Sequence, residues 1–126
     1  PPTGCPGVGG WFGPVLLDET QAASRWMATQ TLITSVQSSK ENPVEVCGVQ
    51  GELGWLLAVT CPDGTHPYTD PEVAHNSRLG NVGEGGRCGS VIDLYPVPCG
   101  GDVYEVYMDM YMCTQAEANV AFSYMM

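Results

Sequence analysis

Asp102 to Cys113 reads DVYEVYMDMYMC. Alternate residues of an extended strand point to opposite faces, so parity sorts this stretch into two chemistries. Glu105, Tyr107, Asp109 and Tyr111 fall on one side, and Met108, Met110 and Met112 on the other. Paired carboxylates among aromatic rings are the equipment of glycoside hydrolysis, one as acid and one as base or nucleophile. Glu105 and Asp109 lie four residues apart. That is about 13 Å along a strand, beyond the roughly 5–9.5 Å such pairs span. Asp93, on a preceding strand with Tyr95, comes closer to either across a hairpin. The thioether row has the softness that Cu(I) selects, but the same period is what a core face needs.

The remaining candidates sit in a long connection. His66, His75 and Arg78 stand among Asp63, Asp70, Glu72 and Asn76. A His–carboxylate site or Ca²⁺ held by loop oxygens is conceivable there, although PDGTHPYTDPE lacks the alternating acidic ligands of a calcium loop. His75 and Arg78 are three residues apart and pair as readily with local acids. GNVGEGGRCGS lacks the lysine of a phosphate cradle, and no G-x-S-x-G elbow is present.

The balance of charge narrows the partners. The chain of 126 residues has a formal net charge of −10 and four basic residues, Arg25, Lys40, Arg78 and Arg87. Nucleic-acid binding needs clustered Lys and Arg to displace counterions, and attraction to anionic lipid needs the same. The expected partner is a protein, basic in character. The hydrophobic fraction of 44% is that of a globular chain. No apolar run reaches the roughly 18 residues of a spanning helix. No cofactor is implied.

Six cysteines, Cys5, Cys47, Cys61, Cys88, Cys99 and Cys113, include no C-x-x-C pair. That disfavours zinc and excludes c-type haem. With abundant Gly and Pro, the count predicts an oxidised, secreted or periplasmic domain with up to three disulfides, and residue 1 is then expected to follow a processing site.

The elements follow from local signals. Residues 1–17 read as an irregular arm, and 18–126 as one α+β core. Asp18 and Gln21 form a capping box, and Ala22, Ala23, Trp26, Met27, Ile33 and Val36 make an apolar stripe. A long helix is therefore expected from Asp18 toward Asn42, stopped by Pro43. Val44–Gln50 and Trp55–Cys61 read as a first hairpin, its second arm central in the sheet. Asp70 as N-cap with Pro71 following predicts a short helix ending before Gly80.

Cys88–Cys99 and Asp102–Cys113 read as a second hairpin. A two-residue Gly100–Gly101 turn sets Cys88 opposite Cys113, a tentative disulfide. The polarity pattern instead sets Ile92 and Leu94 on a face with Val106, Met108 and Met110, which requires a three-residue loop. The pattern is preferred, because it buries more apolar surface. Thr114 and Glu117 form another capping box, predicting a short C-terminal helix. The expected fold is an antiparallel sheet of about four strands in two hairpins, with one long N-terminal and one short C-terminal helix, stapled by disulfides.

Gly9-Gly10, VEVCG at Val44–Gly48 and YPVPC at Tyr95–Cys99 resemble, in their order, the three inhibitory segments of the cystatins. The resemblance implies a cysteine-protease inhibitor. Val44 stands where that family has Gln, and Cys99 where it has Trp, so the resemblance does not define a family for the chain.

The expected function is an exported, non-catalytic interaction module: an inhibitor, an adhesion subunit or an assembly subunit. Its binding face is Asp93, Tyr95, Glu105, Tyr107, Asp109 and Tyr111. Self-assembly through the apolar chain ends, Trp11–Phe12 and Met125–Met126, is a further expectation. The alternatives are a small glycan-acting hydrolase using Asp93, Glu105 or Asp109, and a Cu(I)- or Ca²⁺-binding protein.

Overall fold

The computed structural model describes residue 5 and residues 13–25, 30–32 and 37–122. The elements in chain order are β1 (Val15–Leu16), α1 (Glu19–Ala23), β2 (Val44–Glu45), α2 (Gly48–Ala58), α3 (Pro71–Asn76), β3 (Gly80–Gly85), β4 (Ser90–Cys99), β5 (Asp102–Asp109), β6 (Met112–Cys113) and α4 (Gln115–Ala121). The main sheet has the order β2-β5-β4-β3. Its β3-β4-β5 part is antiparallel, but β2 joins β5 in parallel, Val44 opposite Met108. A separate parallel pair joins β1 to β6. The fold is thus α+β with a mixed sheet, which corrects the purely antiparallel expectation.

The capping signals placed three helix starts correctly. Asp18 accepts from the Gln21 backbone N–H, Asp70 from Glu72 and Thr114 from Glu117. The long N-terminal helix is not formed. α1 ends at Ser24 after burying none of its residues, and a short helix without a packed face lacks the tertiary support that extends it. Downstream, Thr31 forms a bridge to Thr60, and 37–43 are non-helical. Trp26, Met27, Ile33 and Val36, and both apolar chain ends, lie outside the described residues.

The expected first hairpin is replaced by α2. Gly48, Glu52, Trp55 and Leu56 are its buried residues, spaced i, i+4, i+7 and i+8 along one helical face. A short apolar run such as Trp55–Cys61 has no periodicity that separates a buried strand from a buried helix. Trp55, Leu56 and Val59 form the core with Tyr95, Val97, Val106 and Met108 of the sheet.

The second hairpin forms, but in the register first set aside. Cys99 pairs with Asp102 and Asp93 with Met108, across the two-residue turn at Gly100–Gly101. Gly100 takes φ +62°, the left-handed geometry such turns require. The polarity pattern failed because β4 is covered on both faces. Tyr95 and Val97 are buried against α2, while Ile92 and Leu94 are buried on the opposite side. The 37–43 segment lies over that second side. The Lys40 carbonyl accepts from Gly86 N–H at 2.9 Å, and any side chain at Gly85 would overlap that carbonyl. A strand buried on both faces has no alternation to fix register, so the turn decides.

Three disulfides join Cys5–Cys88, Cys47–Cys113 and Cys61–Cys99. Cys88 and Cys113 do not pair with each other. β5 stops at Asp109, whose Oδ1 caps Tyr111 N–H, and the chain then turns to lay β6 beside β1. The bridge therefore closes instead on Cys47, which leads into α2.

Candidate functional site

The six residues expected on one binding face separate into three places. Asp93 and Tyr95 point toward α2, Asp109 is sealed between β2 and β4, and Glu105 and Tyr107 stay near the surface. Tyr111 lies beyond the end of β5, its ring 5.7 Å from that of Phe122.

The first place is a cleft of about 420 Å³ between α2, α3 and the sheet, lined by Glu52, His75, Arg78, Asn81, Asp93 and Tyr111 among others. It unites two of the three loop candidates with Asp93 and Tyr111. His66 is elsewhere, its Nδ1 3.1 Å from the Val59 carbonyl. Glu52 was missed, because GELG read as a hairpin turn. Its signal was a carboxylate four residues after Gly48 and three before Trp55, on the apolar side of a helix.

Glu52 is 1% exposed. The Tyr95 hydroxyl donates to its Oε1 at 2.9 Å, and Arg78 Nη1 donates to Asp93 Oδ1 at 2.9 Å. Burial, with Asp93 alongside, pushes the Glu52 carboxyl up to about 9. Glu52 Oε2 meets no donor. As a neutral acid, Glu52 supplies the donor itself, toward Asp93. Burial, and the carboxyl it serves, also raise the Tyr95 phenol. The cluster holds a proton at the wall of the cleft, with one Glu52 oxygen bonded by Tyr95 and Asp93, Arg78 and His75 lining the same space. Its effect is to tie α2 to β4 and, through Arg78, to the end of α3.

The second place is a polar cluster beside β2. Arg87 donates to both oxygens of Glu45, at 2.7 and 3.0 Å. Asp109 is fully buried next to them, with Ser90 beside it. Burial raises the Asp109 carboxyl to about 7, although the Tyr111 N–H hydrogen bond works against the shift. No three His, Cys, Asp or Glu side chains converge into a metal-holding group among the described residues. The methionine row does not converge either. Met108 belongs to the main core and Met112 to a separate cluster with Val15, Leu17 and Cys88.

The third place is the outer margin of β5. The Tyr107 hydroxyl donates to Glu105 at 2.9 Å, and that bond raises the phenol. Glu41 stands close enough to add to the effect. Val103, on the same face, is 63% exposed. The Tyr107 backbone N–H points away from β4 to Ser38 Oγ, 2.8 Å away. Backbone direction alternates along an antiparallel strand, so Val103 and Glu105 also turn their N–H and C=O outward. β2 covers this margin only at Met108 and Asp109.

In comparisons with known proteins, no family model matches the chain, and neither a curated protein nor a solved structure matches it. Among the described residues no helix is long and apolar enough to cross a membrane.

Proposed function

We propose that this chain is an exported, non-catalytic interaction domain whose partner is a basic protein. One observation carries the reading. All three arginines are engaged by carboxylates of the same chain: Arg25 with Glu117, Arg78 with Asp93 and Arg87 with Glu45. Lys40 is the remaining basic side chain, against fourteen acidic residues. The outward field is therefore acidic, which steers cationic partners and repels anionic ones. Three disulfides support residence in an oxidising compartment.

The test is capture from the extracellular or periplasmic fraction with the tagged full chain, followed by charge reversal. A basic protein is expected to be retained at low ionic strength and released as added salt shortens the Debye length to about 3 Å at 1 M. Replacing Glu41, Asp102 and Glu105 by Lys should release it, whereas replacing the exposed Glu19, Glu72 and Glu84 should not. Failure to retain any protein, or retention indifferent to both salt and the first set of replacements, would overturn the reading.

A further inference from the structure

The cleft between α2, α3 and the sheet holds two carboxyl groups that face each other at its wall, Glu52 and Asp93. Its volume is about 420 Å³, and every residue lining it belongs to the described part of the chain. Arg78 Nη1 engages Asp93 Oδ1, and the Tyr95 hydroxyl engages Glu52 Oε1. Glu52 is 1% exposed, yet its Oε2 has no donor. Two carboxyls in contact cannot both stay charged unless something positive sits between them. A proton does so in the protein alone, and a cation of the right shape can replace it. Charge and shape select that cation. An anion is opposed by both acids, and Arg78 is already engaged by one of them. A metal ion lacks ligands, because no three His, Cys, Asp or Glu side chains converge among the described residues. Tyr111, the platform a sugar ring needs, packs against Phe122. An ammonium is a compact point charge with three donors, which the facing oxygens of Glu52 and Asp93 can accept. Val49, Val91 and Met110 give the same cleft apolar walls for an alkyl stem.

We propose that this cleft binds a primary alkylammonium group, which seats between Glu52 and Asp93 in place of their proton. The Glu52 O–H bond breaks as the cation enters, and its proton leaves to solvent. The net charge of the Glu52–Asp93–Arg78 group is unchanged by the exchange. The site is separate from the acidic margin of β5. Asp93 points toward α2, whereas Glu105, paired with Pro96, and Glu41, beside Tyr107, lie on the other side of the sheet. The exchange makes binding depend on pH. Burial and Asp93 hold the Glu52 proton up to about 9, so below that value each amine bound displaces one proton. The other groups facing Glu52 are Arg78 and the Tyr95 phenol, whose own proton burial holds more tightly still. A histidine gains charge in acid, so His75 opposes the cation there, and the dependence is read above about pH 7.

The probe is butylammonium chloride, titrated into the full oxidised chain while backbone amide shifts are read by NMR. Saturable shifts are expected at Glu52, Asp93 and Asn81. The apparent affinity should rise about tenfold per pH unit from about pH 7 toward about pH 9, the slope of one proton released per amine bound. Butyltrimethylammonium has the same charge and no N–H donor, and should bind at least about tenfold more weakly. Glu52→Gln keeps an acceptor for Tyr95 but has no proton to exchange. It should bind butylammonium at least about tenfold more weakly at about pH 9 and lose the pH slope. A lysine blocked at both ends, offered in the same titration, separates the two sources of the group. Binding equal to that of butylammonium assigns a protein side chain, and much weaker binding assigns a free amine. No saturable shift at the cleft of the full chain would overturn the site, as would equal binding of the trimethyl analogue. A pH slope that persists in Glu52→Gln would overturn the exchange. Ca²⁺ that moves the same amides and displaces butylammonium would make the cleft a metal site instead.

Discussion

Glu52 and Asp109 are both acids that the fold has taken out of water, and they behave differently. Glu52 faces another carboxyl and a phenol, so its own proton is the donor that satisfies the cluster. Asp109 accepts a backbone N–H and lies in the field of Arg87, and its carboxyl is raised less, to about 7. Burial sets the direction in both, and the neighbours set the extent. The first is a neutral structural group under ordinary conditions. The second changes charge near neutrality, beside the strand that joins the N-terminal half of the chain to the sheet.

Arg87 separates the clusters most sharply. Arg87→Met removes the bidentate arginine from buried Glu45 next to Asp109, and should cost about 3–5 kcal/mol in denaturant unfolding. A loss below about 1 kcal/mol would mean that water reaches Glu45.

The pH dependence comes next. Each acid has a folded value above its unfolded one, so the unfolded chain releases its proton first. The contribution of each to stability is then largest in acid and falls as pH rises, from about 4 to about 7 for Asp109 and from about 4.5 to about 9 for Glu52. Asp109→Asn and Glu52→Gln keep the hydrogen-bond acceptors without the titration. Each should gain on the order of 2–4 kcal/mol over the parent at pH 7. Between pH 7 and 9 only the Glu52→Gln advantage should continue to grow. Parallel profiles in urea titrations would erase the distinction drawn between the two acids.

Arg78→Met should cost only about 1 kcal/mol, because the Arg78 side chain is 43% exposed and water replaces it at Asp93. Smallest is Tyr107→Phe at the surface pair with Glu105, expected within about 0.5 kcal/mol in the same unfolding measurement.

What could be read in advance divides along physical lines. Helix starts written in one side chain and one backbone N–H, at Asp18, Asp70 and Thr114, were legible because the interaction is local. The existence of the β4–β5 hairpin was legible through Gly100–Gly101, but its register was not, because the polarity pattern preferred a three-residue loop that the two-residue turn overrides. α2 was not, since an apolar run states that a segment is buried without stating its period. The binding face was misassembled because it assumed one covered side of the sheet, whereas two layers cover β4. Glu52 could have been found only by first recognising α2. The cysteine count announced bridges, but pairing depends on β6 leaving the hairpin after Asp109, which no neighbouring residue encodes.

The connectivity of those bridges has a consequence for how the chain can mature. Cys5, Cys47 and Cys61 each bond to a partner in the last third of the sequence, Cys88, Cys99 or Cys113. A chain emerging from its N-terminus therefore has no correct thiol partner available until Cys88 is free, while three early thiols wait together. The wrong early pairs, Cys5 with Cys47 or Cys47 with Cys61, are the ones that vectorial emergence favours. In oxidative refolding, a catalyst that reshuffles bonds is therefore expected to speed recovery of the three native bridges more than one that only makes them.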